Sequence, residues 1–186
     1  NLFGSTVIGG TLATEGSGVI RATGATTLDG LTINGNFQQN AATSTYLKNM
    51  ITNTGTMGMN ASTSVTNMYI DSAETVLNGG GTVTLSNSVN NYIRGSVNTN
   101  RLINENNLIQ GSGNLGADAT MITNRGTIQS TNTSSLTLNP TGISTDAVGM
   151  INSGILKSIN GSRLVLASGN YQNYEATTSG QIIADS

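Results

Sequence analysis

Histidine, cysteine and tryptophan are absent from this chain of 186 residues, and proline occurs once. Without His or Cys, zinc sites of the usual kind, thiolate clusters and every His- or Cys-based nucleophile system are excluded. Charged residues are 9% of the chain, against roughly 25% in an ordinary domain. The seven Lys and Arg are scattered and form no basic stripe, which argues against nucleic acid as a partner. No apolar run approaches the roughly 18 residues that a membrane-crossing helix needs. Aromatics are 4% of the residues. Disordered chains usually combine low hydrophobicity with high net charge. Here the hydrophobic fraction is 35% and the formal net charge only −2, with Ile, Leu, Val and Met spread from end to end. The polar residues therefore read as the solvent side of an ordered, strand-rich structure.

What the chain has instead is Gly (24 residues), Asn, Thr and Ser, and one small object made repeatedly. MITNRGTI from Met121 has near twins in MITNTGTM from Met50, LINENNLI from Leu102 and MINSGIL from Met150. The shared core is Asn-x-Gly: Asn53 and Gly55, Asn124 and Gly126, Asn152 and Gly154, with Asn104 and Asn106 as the variant that places Asn where Gly stands. Gly and Asn most readily adopt left-handed backbone angles, so the third position is predicted to be a positive-φ corner between short strands. Asn34-Gly35, Asn78-Gly79 and Asn160-Gly161 read as turns for the same reason.

A second periodicity is cleaner. Tyr46, Tyr69 and Tyr92 are 23 residues apart, and fixed periods of 20 to 50 residues signal repeat architectures. Short triplets at Val19–Arg21, Leu31–Ile33, Val83–Leu85, Leu136–Leu138 and Leu164–Leu166, three of them with a Thr between two apolar residues, are predicted strands whose outer members share one face. No apolar stripe of helical period is sustained over three turns. Short strands, frequent turns and a 23-residue step predict an all-β fold. It is a single-stranded parallel β-helix, or solenoid, of about eight coils and one domain over residues 1–186, roughly 40 Å long at the strand spacing. The irregular intervals between copies of the corner imply insertions, placed at NSVNNY and LNPTGISTDAVG. The chain opens on Asn1 and is read as a processed chain or a segment of a longer one.

Candidate sites are few. The Tyr46, Tyr69, Tyr92 column is predicted to be a stacked ladder on one face, with an aromatic strip for sugar rings as the alternative. The 23-residue step also predicts an Asp71–Arg94 ion pair between neighbouring coils. Gly16-Ser17-Gly18, Gly79-Gly80-Gly81 and Gly111-Ser112-Gly113 lack the strand, helix and Lys context of a phosphate cradle and read as turns. Nine acids (Glu15, Asp29, Asp71, Glu74, Glu105, Asp118, Asp146, Glu175, Asp185) show no fixed spacing, so neither calcium nor another metal, nor any cofactor, is expected. A glycosidase would need two of them about 5–10 Å apart with one held protonated. Thr32, Thr84 and Thr137, too sparse for an ice-facing array, and the sequons at Asn60, Asn132 and Asn160 are ascribed to composition.

LNGGGTVTLSNSVNNYIRG, NRLINENNLIQGSGNLG and MITNRGTIQS resemble the repeats of large secreted bacterial β-helix proteins, autotransporter passengers and filamentous-haemagglutinin-like adhesins. The resemblance covers most of the chain and lies in repeat style. It implies a right-handed parallel β-helix outside a bacterial cell, serving adhesion, matrix or surface structure, and it supplies no catalytic motif. No polar capping segment stands at either end. Leu2, Val7 and Ile8 near one end, and Ile182 and Ile183 near the other, are the predicted end-stacking residues of a self-associating filament subunit. The expectation is thus a non-enzymatic structural or adhesive solenoid, with a carbohydrate-binding or polysaccharide-cleaving β-helix as the alternative. Its expected partners are its own ends and a glycan or host or matrix surface.

Overall fold

The computed structural model describes residues 1–142 and 148–185, and among these there is no helix. The chain winds into eight coils, each giving one strand to each of three parallel sheets. The first sheet runs Ser5–Ile8, Thr26–Asp29, Ser44–Lys48, Thr66–Ile70, Asn91–Gly95, Gly113–Leu115, Leu136–Leu138, Leu164–Leu166. The second runs Thr11–Ala13, Thr32–Asn34, Met50–Asn53, Glu74–Asn78, Arg101–Asn104, Met121–Asn124, Met150–Asn152, Tyr171–Gln172. The third runs Ile20–Ala22, Asn36–Gln39, Thr56–Met59, Thr82–Leu85, Leu108–Gly111, Thr127–Ser130, Ile155–Ser158, Gln181–Ala184. An antiparallel pair, Tyr174–Glu175 with Thr178–Ser179, is inserted in the eighth coil.

The predicted β-solenoid is therefore the fold, with its predicted number of coils. In the first sheet one inward column passes through Ser5, Thr26, Thr45, Met68, Ile93, Leu115, Leu138 and Leu166, seven steps that average 23 residues. In the third sheet Ile20, Phe37, Met57, Val83, Ile109, Ile128, Leu156 and Ile182 form an unbroken apolar column. Its six inner members are buried, and Phe37 is fully so. Period-2 alternation produces this: in Leu31–Ile33, Val83–Leu85 and Leu136–Leu138 the outer residues are buried and the central Thr is half-buried. Val19–Arg21 runs in the opposite sense, with Ile20 inward and Arg21 exposed. Thr32, Thr84 and Thr137 lie on three different sheets, so no threonine array forms from them.

Coil length varies where loops intervene. Residues 60–65, 86–90 and 96–100 bulge between strands, as NSVNNY predicts for the second of them. Residues 143–147 of the predicted loop at 138–149, Asp146 among them, lie outside the described residues.

Candidate functional site

The repeated corner sits between the second and third sheets, and its Asn side chains point into the core. Asn53, Asn104 and Asn124 are fully buried and Asn152 nearly so. A buried primary amide needs every donor and acceptor matched, and a neighbouring coil with the same residue at the same place supplies the match. Asn104 Nδ2 donates to Asn124 Oδ1 (2.8 Å), Asn124 Nδ2 to Asn152 Oδ1 (2.8 Å), and Asn152 Nδ2 to Asn173 Oδ1 (2.7 Å). Within a coil, the backbone amide of Gly55 donates to Asn53 Oδ1 (3.2 Å).

The left-handed backbone predicted at the third position of this corner is not what the structure has. Gly55, Gly126, Gly154 and Asn106 are absent from the positive-φ residues. Gly is required for space: a Cβ on Gly55 would run into the carbonyl oxygen of Gly35, and one on Gly154 into that of Gly126. Asn106 is tolerated because its side chain is exposed, where Oδ1 accepts from the Gly80 amide (2.9 Å).

The fourth coil carries Gly79-Gly80-Gly81 at this corner and no ladder Asn. The fifth fills the gap with a second buried residue, Asn107, which sequence reasoning did not single out. Asn107 Oδ1 accepts from Asn53 Nδ2 (2.9 Å), and its own Nδ2 donates to the Asn78 carbonyl (2.8 Å). The signal was legible as the doubled Asn106-Asn107 in LINENNLI.

The tyrosine column stands on the outer face of the first sheet, with one correction. Tyr46 and Tyr69 are register partners, and their rings stack at 5.0 Å between centroids and 15° between planes. The next step is 25 residues, so Arg94 rather than Tyr92 sits over Tyr69, and Tyr92 pairs with Asn67. The Arg94 guanidinium lies 5.3 Å from the Tyr69 centroid and 5.5 Å from that of Tyr92, and Nη2 donates to Tyr69 Oη (3.0 Å). The same slip removes the predicted Asp71–Arg94 pair: Asp71 meets Lys48 at 3.2 Å. A sugar stacks on an aromatic face, and here Tyr69 has Tyr46 on one side and Arg94 on the other. The column is a cross-coil ladder whose faces are largely in use.

Acidic residues gather at one point. Arg125 of the sixth coil holds Glu105 of the fifth and, through Nε (2.8 Å) and Nη2 (2.6 Å), Glu175 of the eighth, while Ser153 Oγ of the seventh donates to Glu175 (3.1 Å). The hydrogen bonds that Arg125 donates hold the Glu175 carboxyl below the usual carboxylate range, and the same bonds raise Arg125 in turn. This is the reverse of a proton-donating acid, which needs an apolar setting that raises it. The cluster ties four coils and the inserted Tyr174–Ser179 hairpin together. Among the described residues no three metal-binding side chains converge and no pocket is enclosed. No helix of the described residues is long and apolar enough to cross a membrane.

The predicted end residues divide. Leu2 bridges to Ala22 and packs on the core, and Val7, the register partner of Leu28, faces inward at the first coil. Ile8 is the partner of Asp29 and points out of the lateral face, 75% exposed. At the other end Ile182 extends the apolar column over Leu156, but Ile183 partners Lys157 on the outer face. Leu12 and Ile20 complete the first coil's inward set, and Leu164, Leu166 and Tyr171 that of the eighth. Burial pushes the Tyr171 phenol up to about 12, and its hydroxyl donates to the Leu138 carbonyl (2.8 Å).

Comparison with family models, with curated proteins and with solved structures found no match to this chain.

Proposed function

We propose that this chain is a non-enzymatic structural or adhesive β-solenoid, working outside a bacterial cell by assembly rather than by chemistry. The observation that carries the reading is the state of the two ends. Ile20 in the first coil and Ile182 in the last end one apolar column that is buried everywhere between them. Val7 and Leu12 in the first coil lie over the buried Leu28 and Ile33, and Leu166 in the last lies over the buried Leu138. Uncovered strand edges and apolar columns are the surfaces on which solenoids extend. Further coils of a longer chain and the end of a second copy would continue them equally well. Hydrogen-bonded Asn columns and an Arg125 tether give the rod rigidity without reactive groups. The extracellular, bacterial setting rests on the repeat style of GGGTVTL and IQGSGNLG. A glycan reading of the tyrosine face is less favoured, because the Tyr69 ring is covered on both sides.

Static light scattering of the purified chain tests the proposal. Scattering mass should climb well beyond a dimer with concentration in the parent chain and should not pass a dimer when Leu166→Lys and Ile182→Lys are combined. A parent chain that never passes a dimer overturns end-to-end assembly.

A further inference from the structure

The outer faces of the three sheets differ in chemistry. The first carries Tyr46, Tyr69, Arg94, Lys48 and Asp71, and the third carries Gln38, Thr84, Gln110 and Gln129 in one column. The second carries an aliphatic stripe. Met50, Val76, Ile103, Thr123 and Ile151 are successive register partners from the third to the seventh coil. Their inward neighbours Ile51, Leu77, Leu102 and Ile122 are buried, so strand alternation turns the stripe outward. Met50 is 50% exposed, Val76, Ile103 and Ile151 are half-buried, and Thr123, which accepts from Arg101, is buried, so the exposed run is Met50, Val76 and Ile103 with Ile151 beyond the break. Contiguous outward apolar residues on a soluble surface mark a contact site.

Beside the stripe stands a second column, Glu74 then Arg101. Arg101 lies along the surface, with Nη1 donating to Thr123 Oγ1 (3.1 Å) and Nη2 to the Val148 carbonyl (3.2 Å). Glu74 is exposed and makes no ion pair among the described residues.

We propose that this stripe is a lateral interface between two copies of the chain, packed side by side and antiparallel. Two arguments select a second copy. Side chains spaced at the strand separation of about 4.8 Å interdigitate fully only with an array of the same pitch, and another solenoid has it. The charges also match themselves. A two-fold axis lying in the face, across the rod and between the fourth and fifth coils, keeps each column over itself with its order reversed. Val76 then meets Ile103 of the second copy, and Glu74 meets its Arg101. An axis along the rod would instead set Glu74 against the polar column of Asn78 and Thr52. Five coils of this face measure about 24 Å by about 13 Å, roughly 300 Å² per copy. That is well below the ~800 Å² per partner of a standard stable interface, so the pairing is weak and concentration-dependent. It uses a lateral face and does not depend on end-to-end stacking.

The absence of cysteine allows a specific test. Val76→Cys and Ile103→Cys are prepared as separate full-length variants and oxidised mildly, alone and mixed. The mixture should give a disulfide-linked dimer that neither variant gives alone. Equal cross-linking of the single variants, or none in the mixture, overturns the arrangement. Sedimentation velocity supplies a second reading, taken in the end-blocked Leu166→Lys, Ile182→Lys chain: it should shift toward dimer at high concentration, and adding Ile103→Asp should abolish the shift while keeping the β circular dichroism. No shift in the end-blocked chain overturns the pairing and leaves the stripe to a partner of other chemistry.

Discussion

Asn53 donates its side-chain amide to Asn107 across 54 residues of sequence, at 2.9 Å in the closed interior of the rod. Two coils separate the pair, because the coil between them turns the corner on three glycines. The corner that recurs along the sequence is thus an internal hydrogen-bond column, and Asn107 is the splice that keeps it continuous. Asn107→Ala would leave the Asn53 amide only its longer bond to the Thr82 carbonyl (3.2 Å) and would remove the side-chain donor to the Asn78 carbonyl, and it should cost about 1–3 kcal/mol in chemical denaturation. The adjacent Asn106→Ala, on an exposed side chain, should stay within about 0.5 kcal/mol.

The corner glycines are needed for two different reasons, and substitution separates them. Gly55→Ala and Gly154→Ala place a methyl group against the backbone of the coil below, where nothing flexible can yield. Each should cost about 1–3 kcal/mol or more, the range of overpacking. Gly80 has open space around its Cβ position but φ of +73°. Gly80→Ala should cost about 1–2 kcal/mol from backbone strain alone, and Gly80→Asn less than Gly80→Ala. Thermal melts of the four variants check the order.

Glu175 links the last coil to Arg125, and its carboxyl is held below its ordinary range by the guanidinium's hydrogen bonds. The stabilisation is present above the carboxyl's unfolded value and is lost as pH falls through the lowered folded one. Both side chains are about a third exposed, so the contribution is at most about 1 kcal/mol and weakens with salt. Protection of Tyr174–Ser179 against hydrogen exchange, taken relative to the intrinsic amide rate at each pH, should fall at acid pH, and Glu175→Gln should be less protected at neutral pH with a smaller acid response. Exchange that is unchanged in that variant would remove the tether from the account.

Tyr69 lies between Tyr46 and Arg94, whereas Tyr92 touches only the guanidinium of the two. Tyr69→Ala should therefore destabilise by about 1–2 kcal/mol, and Tyr92→Ala by less. If the tyrosines served a glycan instead, soluble oligosaccharides would quench their fluorescence in the parent chain. The ladder predicts no such change.

Much of the architecture was legible because a solenoid writes its period into the sequence. Strand alternation at Leu136–Leu138 and the 23-residue step from Tyr46 to Tyr69 translate directly into buried columns and a stacked pair. A mean period does not give local register, however. The step after Tyr69 is 25 residues, which carried Tyr92 and Arg94 two positions from where a constant repeat puts them. Composition also could not say why a glycine is needed: positive φ and close backbone approach select the same residue, and at Gly55 only packing distinguishes them. At the ends, adjacent apolar residues such as Val7 and Ile8 point to opposite faces, and the pair alone does not reveal which is inward. The lateral stripe from Met50 to Ile151 escaped notice because its members are spaced by whole coils.

The central claim is that this rod functions by joining others. Negative-stain electron microscopy of the chain across a concentration series tests it most directly. The account predicts fibres that lengthen with concentration from a unit of roughly 40 Å, eight coils at the strand spacing. Separate rods of that fixed length at every concentration would contradict it.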